Sequence, residues 1–290
     1  MRDRLDPLIA ERAPWLFRST LQARLSRGVL DRLLAYERTI EIGTHYLDMG
    51  IDDIMSDLAR RIARRVTFSG LENLPETGSA LVVANHPTGI ADGIIMDHLI
   101  KKRRSDAFIY TNADIIRVLP QFSELIIPVE WREDKRTVSK TRETMQLTRA
   151  ALEQGRLGVI FPSGRLAKRR GLRLHERPWM TSAAMIARKF ALPVIPVHIR
   201  ARNSAMFYAF DAIHPTLRDI TLFHETLNKD VQPYHVTFGR PIDGASLSRD
   251  AAEGIEVLRQ ATLRLGSERH GEIKLTDTRP AWRRWGARTA

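Results

Sequence analysis

Apolar positions along the chain change their period near residue 66. Before it, Ile51, Ile54, Met55, Leu58 and Ile62 recur at helical spacing, and Arg60, Arg61, Arg64 and Arg65 occupy the opposite face. Residues 1–65 carry no strand signal and read as a helical segment. The stripe is expected to pack on the rest of the protein, with a helix lying in a membrane surface as the alternative. Beyond 66, short apolar runs at 66–68, 80–84, 107–110, 124–129, 157–161, 194–199 and 235–239 read as strands. Between them lie helical stretches at 93–100, 136–154 and 180–191, the second stopping at Gly155. Such alternation predicts an α/β sandwich of two or three layers, with a largely parallel sheet flanked by helices. A further helix at 252–265 leads into a basic tail. The organisation is thus 1–65 helical, 66–245 α/β, and 246–290 helix and tail.

Two breaks in this pattern carry chemistry. The run 80–84 ends in Asn85-His86-Pro87, and Asp92 stands at the start of the helix that follows. On one continuous helix, six residues span roughly 240°, so His86 and Asp92 meet only if the chain turns back through Pro87 and Gly89. A loop histidine beside a carboxylate is a candidate general base whose tautomer and imidazolium the carboxylate supports. A capped helix start with a locally bonded histidine is the plain alternative. No cysteine and no Gly-x-Ser-x-Gly elbow supplies a protein nucleophile, so the base would activate a hydroxyl of a substrate. The second break follows 157–161: Pro162-Ser163-Gly164-Arg165, then Lys168, Arg169, Arg170 and Arg173. These cations suit phosphate or carboxylate recognition, or are a solvated basic loop. Both breaks follow strands, where open α/β sheets carry their sites.

Composition narrows the classes. The chain has 290 residues, 43% hydrophobic and 28% charged, a globular balance. Without cysteine there are no disulfides, thiolate metal sites or acyl-cysteine intermediates. No two histidines lie close enough for a local metal pair. His98 is expected to be structural, and His198, ending a strand, is a minor candidate for the mouth of the site. No run approaches a transmembrane span, and no secretory apolar region follows Met1. The net charge of +12 calls for anionic partners or is scattered over a solvated surface. No nucleic-acid module or basic aromatic groove occurs, so nucleic acid is not expected. Trp15-Leu16-Phe17 between Arg12 and Arg18, and Trp282 and Trp285 among Arg283, Arg284 and Arg288, are candidate contacts with an anionic membrane.

Asn85-His86-Pro87-x-Gly89-x-x-Asp92-Gly93 resembles the first block of the glycerolipid acyltransferase family. The family's usual spacing is His-x4-Asp; five residues intervene here, as in bacterial branches with Asn-His-Pro-x-Gly. Other blocks follow in the family's order: Gly70-Leu71-Glu72-Asn73-Leu74-Pro75, Val159-Ile160-Phe161-Pro162-Ser163-Gly164-Arg165, Val194-Ile195-Pro196-Val197, and Val236 to Ile242. The resemblance implies a 1-acylglycerol-3-phosphate-type O-acyltransferase. It would move a fatty acyl chain from acyl-CoA or acyl carrier protein to a lysophospholipid-like hydroxyl, lysophosphatidic acid foremost, without metal or cofactor. His86 would be the base and Asp92 its orienter. Asn85, Pro87, Gly89 and Gly93 would shape the loop, with N–H groups near Gly89 or the helix start stabilising an oxyanion. Ser163, Gly164, Arg165, Lys168 and Arg169 would bind the acceptor. The family usually has Glu where Ser163 stands and Thr before the Arg, so another acceptor, such as a lyso-ornithine lipid, stays open. The expected location is peripheral, on the cytoplasmic face of a bacterial inner membrane. A non-catalytic lipid- or carrier-binding protein is the alternative from another class. No oligomeric state follows from these residues.

Overall fold

A computed structural model describes residues 1–130, 137–266 and 273–274. Four helices open the chain: α1 (Arg2–Arg12), α2 (Leu21–Leu33), α3 (Tyr36–His45) and α4 (Ile51–Ile62). The α/β part runs β1 (Val66–Ser69), β2 (Ala80–Ala84), α5 (Ile90–Ile100), β3 (Ala107–Thr111), α6 (Asp114–Val118), β4 (Ile126–Pro128), α7 (Val138–Glu153) and β5 (Leu157–Ile160). It continues with β6 (Lys168–Arg170), β7 (Arg173–His175), α8 (Ser182–Lys189), β8 (Pro193–Arg200), α9 (Ala205–Ile213), α10 (Pro215–Ile220) and α11 (Leu222–Leu227). It closes with β9 (Tyr234–Phe238), β10 (Ile242–Asp243), α12 (Ala251–Arg264) and β11 (Ile273–Lys274), which pairs antiparallel with β7.

The main sheet has the order β1-β9-β8-β2-β5-β3-β4. All its neighbours are parallel except β8, which meets β9 and β10 antiparallel. Every side chain of β2 is buried, which is why its run is continuously apolar. Ala80, Val82 and Ala84 face Ile54, Ile62 and Ile95 of α4 and α5. Leu81 and Val83 face Ala151 of α7, Ala183 of α8 and Leu258 of α12. The two helical layers make the sandwich three-layered.

Helix ends follow local chemistry. The Thr137 hydroxyl accepts from Lys140 N–H at 3.2 Å to start α7, and Gly155, at φ +76°, takes the left-handed conformation past its end. The α4 stripe packs inward as expected, burying Ile54, Met55, Ala59 and Ile62. On the outer side Asp57 accepts from Tyr46 Oη at 2.7 Å, Arg61 Nε at 2.6 Å and Arg60 at 3.1 Å, tying the chain around α3 to α4. The first helix is fastened to α6: Arg12 pairs with Asp114 at 2.5 Å, Arg117 with Glu11 at 2.8 Å, and Arg4 donates to Val118 O at 2.9 Å.

Two parts of the fold differ from the sequence expectation. The cationic segment after β5 is not a loop but the hairpin β6–β7. Three helices, α9 to α11, fill the connection between β8 and β9. Leu16 is buried and Arg27 lies over the Phe17 ring at 4.3 Å, while Trp15 and Phe17 stay partly exposed. Trp282, Trp285 and their arginines lie outside the described residues. Among the described residues, no helix is long and apolar enough to cross a membrane.

Candidate active site

Gly89 takes φ +99° and ψ −131°, a conformation that disfavours any residue with a Cβ. It reverses the chain so that α5 starts at Ile90 and Asp92, in its first turn, points back at the loop. Asp92 is fully buried. Its Oδ2 accepts from the N–H of Thr88 at 2.9 Å and of Gly89 at 3.0 Å. Its Oδ1 accepts the Thr88 hydroxyl, which in turn touches Tyr234 Oη. His86 Nδ1 lies 3.0 Å from Asp92 Oδ2, at hydrogen-bond distance but off its preferred angle. The imidazole stacks on Phe161 with ring centroids 4.5 Å apart. Nε2 is the ring nitrogen turned away from Asp92, the geometry of an orienting carboxylate behind a base.

The His86 backbone is held from the other side by the segment after β5. Its N–H donates to Glu176 Oε2 at 3.2 Å, and its carbonyl accepts from Ala167 N–H at 2.9 Å. Glu176 Oε1 accepts from Trp179 Nε1 at 3.0 Å. Burial pushes the Glu176 carboxyl above its ordinary pKa, against the pull of Trp179 and the His86 N–H.

His86 faces a cavity of about 850 Å³, a size common for small-molecule sites. Its inner wall is apolar, with Leu8 of α1, Met55 of α4, Ile94 of α5, Phe122 and Ile126. Gly164, Arg165, Arg177 and Arg218 line it as well. Arg177 donates to Leu166 O at 2.9 Å. Burial, then the charges of Arg165 and Arg218, lower its pKa below the ordinary guanidinium value. Arg218 is already paired with Asp211 at 3.2 Å and Asp219 at 2.7 Å.

The structure brings His86, Asp92, Gly89, Gly93, Gly164 and Arg165 around one space. It also moves several expected roles. The N–H groups of Thr88 and Gly89 are engaged by Asp92, because a buried carboxylate needs those donors, so they do not face the cavity as an oxyanion site. Asn85 is a tie: its Nδ2 donates to Ile199 O at 2.9 Å and its Oδ1 accepts Ile199 N–H at 2.6 Å, joining the loop to β8. Pro87 has no N–H to offer. The Ser163 hydroxyl is turned to Arg165 O at 2.8 Å. Lys168 and Arg169 belong to the hairpin and do not line the cavity. His198 is buried within β8, away from the cavity lining. His98 is on α5, where burial and then Lys102 lower its pKa.

Sequence reasoning missed Thr88, Tyr234, Glu176, Arg177 and Arg218. Thr88 sits inside the motif at an unassigned position. The others lie far along the chain, where no local pattern marks them.

Residues 65–200 match the acyltransferase family. The chain is 27% identical over 184 residues to a lyso-glycine lipid O-acyltransferase of Phocaeicola vulgatus, covering 61% of this chain and 64% of the relative. It is 24% identical over 184 residues to a lyso-glycine lipid O-acyltransferase of Bacteroides thetaiotaomicron, covering 61% and 66%. The chain thus spans somewhat less than two thirds of these relatives' length. Among solved structures, the 1-acyl-sn-glycerophosphate acyltransferase PlsC of Thermotoga maritima aligns with 83% of this chain and 95% of its own, at 13% identity and a TM-score of 0.47. Residues 65–200 are thus similar to acyltransferases, and the two relatives that the chain aligns with are named as lyso-glycine lipid O-acyltransferases.

Proposed function

We propose that the protein transfers a fatty acyl chain from a thioester donor, acyl-CoA or acyl carrier protein, to a hydroxyl of a lysolipid with an anionic head group. The observation that carries this is the His86–Asp92 pair at a largely apolar cavity whose lining also includes Arg165 and Arg177. In this reading His86 Nε2 takes the proton of the acceptor hydroxyl, and the oxygen attacks the thioester carbonyl. Collapse of the tetrahedral intermediate expels the thiolate, which takes the proton from the imidazolium. Asp92 holds the ring and stabilises its charge. The inner wall suits an acyl chain, and the guanidinium groups suit a phosphate or carboxylate. Lysophosphatidic acid and a lyso-amino-acid lipid with a free carboxylate both meet this description. The relatives' names support the second.

The same reading calls for contact with an anionic leaflet. Leu21, Leu25, Val29 and Leu33 form an exposed stripe on α2, flanked by exposed Arg24 and Arg32. An amphipathic helix of this kind suits an in-plane position at a bilayer surface, on the cytoplasmic side where the donors are made.

The test is purified protein with a fixed acyl-CoA donor and three acceptors: lysophosphatidic acid, a lyso-amino-acid lipid and neutral monoacylglycerol. Products are read by mass spectrometry. The expected result is acylation of the anionic acceptors over the neutral one, with Arg177→Ala raising the acceptor KM and leaving the donor KM. Acylation of the neutral lipid alone, or of none, overturns the assignment.

A further inference from the structure

The base of an acyl transfer is useful only if its ring stands in one place. Asp92 holds the ring; what holds the backbone that carries it is a separate question. His86 precedes Pro87, lies in a loop, and has a side chain 20% exposed to the cavity. Within this loop, Thr88 and Gly89 give their N–H groups to Asp92. The N–H of His86 itself goes elsewhere, to Glu176 at 3.2 Å, and the His86 carbonyl is bound by Ala167 N–H at 2.9 Å. Both partners come from one segment, which also carries Arg165 and Arg177 and is braced by Met180 N–H on Pro162 O at 2.9 Å. A carboxylate makes a stronger acceptor for an N–H than a neutral group does. It also carries a cost in burial, visible in the raised pKa of Glu176. Trp179 Nε1 donates to the other carboxylate oxygen, so Glu176 spans these two donors, with the Ser163 side chain a third polar neighbour.

We propose that Glu176 is a positioning residue for the reaction, clamping the main chain of His86 from the segment that carries the cationic wall of the cavity. The inference rests on the acyl-transfer reading only for its kinetic consequence. The clamp links the two halves of the site. An anionic head group drawn to Arg165 and Arg177 bears on the same segment that sets the height of the His86 backbone. A misplacement of about 1 Å at a reacting group is enough to cost about 10²-fold in rate.

The experiment pairs kinetics with a spectroscopic signature that needs no turnover. Protein labelled with 15N-histidine presents nine histidines, and His86→Ala identifies the amide signal of His86 by its loss. In Glu176→Ala the His86 amide proton is expected to move upfield, because its N–H loses the carboxylate. The kcat is expected to fall by about 10–100-fold with the donor KM unchanged. A folded Glu176→Ala protein with an unmoved His86 amide, or with wild-type kcat, overturns the proposal. If the amide moves but no acceptor is ever acylated by the wild type, the clamp stands and the acyl-transfer reading falls.

Should Glu176→Ala not fold, Glu176→Gln answers the same question. Its single amide oxygen is contested by His86 N–H and Trp179 Nε1–H, which sit on opposite carboxylate oxygens, with the Ser163 side chain beside them. Adding Trp179→Phe removes one of them and frees the oxygen for His86. The double variant is therefore expected to turn over faster than Glu176→Gln alone. An equal or slower double variant overturns the clamp.

Discussion

Gly89→Ala probes the turn that makes the site. At φ +99° and ψ −131° the alanine backbone sits in a region that costs about 1–3 kcal/mol for a residue with a Cβ. The added methyl would also approach Leu166 Cδ2 at 3.2 Å and Leu222 Cδ2 at 3.3 Å. Those are ends of flexible side chains, which yield by a few tenths of an ångström, so the backbone is the larger part. The expected loss is about 2 kcal/mol, a fall of about 3–4 °C in melting temperature for a chain of this length. Relief of the strain rotates the Thr88 and Gly89 amides away from Asp92. The carboxylate then no longer holds its place behind His86, and kcat falls by about 10²-fold. Thermal unfolding by circular dichroism and steady-state acyl transfer on the same preparation give both numbers. Leu166→Ala on top of Gly89→Ala separates the causes. If the double variant returns to wild-type stability and rate, steric contact was the cost and the backbone argument is refuted.

Two further outcomes follow from buried or partly buried charge. The Asp57 carboxyl is held down at about 2; burial opposes this, and Tyr46, Arg61 and Arg60 outweigh it. A lowered folded pKa stabilises above the unfolded carboxylate value and is lost as pH falls through about 2. Asp57→Asn should therefore unfold about 1–2 kcal/mol more easily at pH 7, with the difference vanishing toward pH 2, as measured by urea titration across pH. Lys229 and Glu225, 3.0 Å apart, are both fully buried. Lys229→Met leaves Glu225 without its cation and is expected to cost about 3–5 kcal/mol in a denaturant titration. Adding Glu225→Gln should recover part of the loss, and purely additive losses would contradict a coupled pair.

Much of the fold was legible because its strands are buried on both faces. The seven apolar runs read from the sequence coincide with β1, β2, β3, β4, β5, β8 and β9 to within a few residues. A run such as Leu81-Val82-Val83 has no polar alternative to confuse it. The hairpin β6–β7 was not legible, since Lys168-Arg169-Arg170 has charged side chains on a short, half-exposed ribbon. The helices α9 to α11 were missed because they are short and lie over the site rather than forming a long stripe. At the site, His86 and Asp92 were readable because a turn, a proline and a helix start fall within nine residues. Glu176, Arg177, Arg218 and Tyr234 were not, because only tertiary packing of the segments around β7, α10 and β9 carries them there. The same limit misassigned Lys168 and Arg169. They follow the strand in sequence, but the hairpin carries them off the cavity lining while Arg177 lies on it.

The claim on which the rest depends is that His86 is the base and Asp92 its support. The most direct measurement is kcat for acyl transfer by His86→Ala and Asp92→Asn, each checked for native melting. The predicted result is a loss of about 10²–10⁴-fold for His86→Ala, in the range of a lost acid–base group. Asp92→Asn should be strongly impaired too, because it removes the charge beside Nδ1 while keeping an oxygen for the Thr88 and Gly89 amides. A folded His86→Ala protein that acylates the lysolipid at a near-wild-type rate would contradict the mechanism.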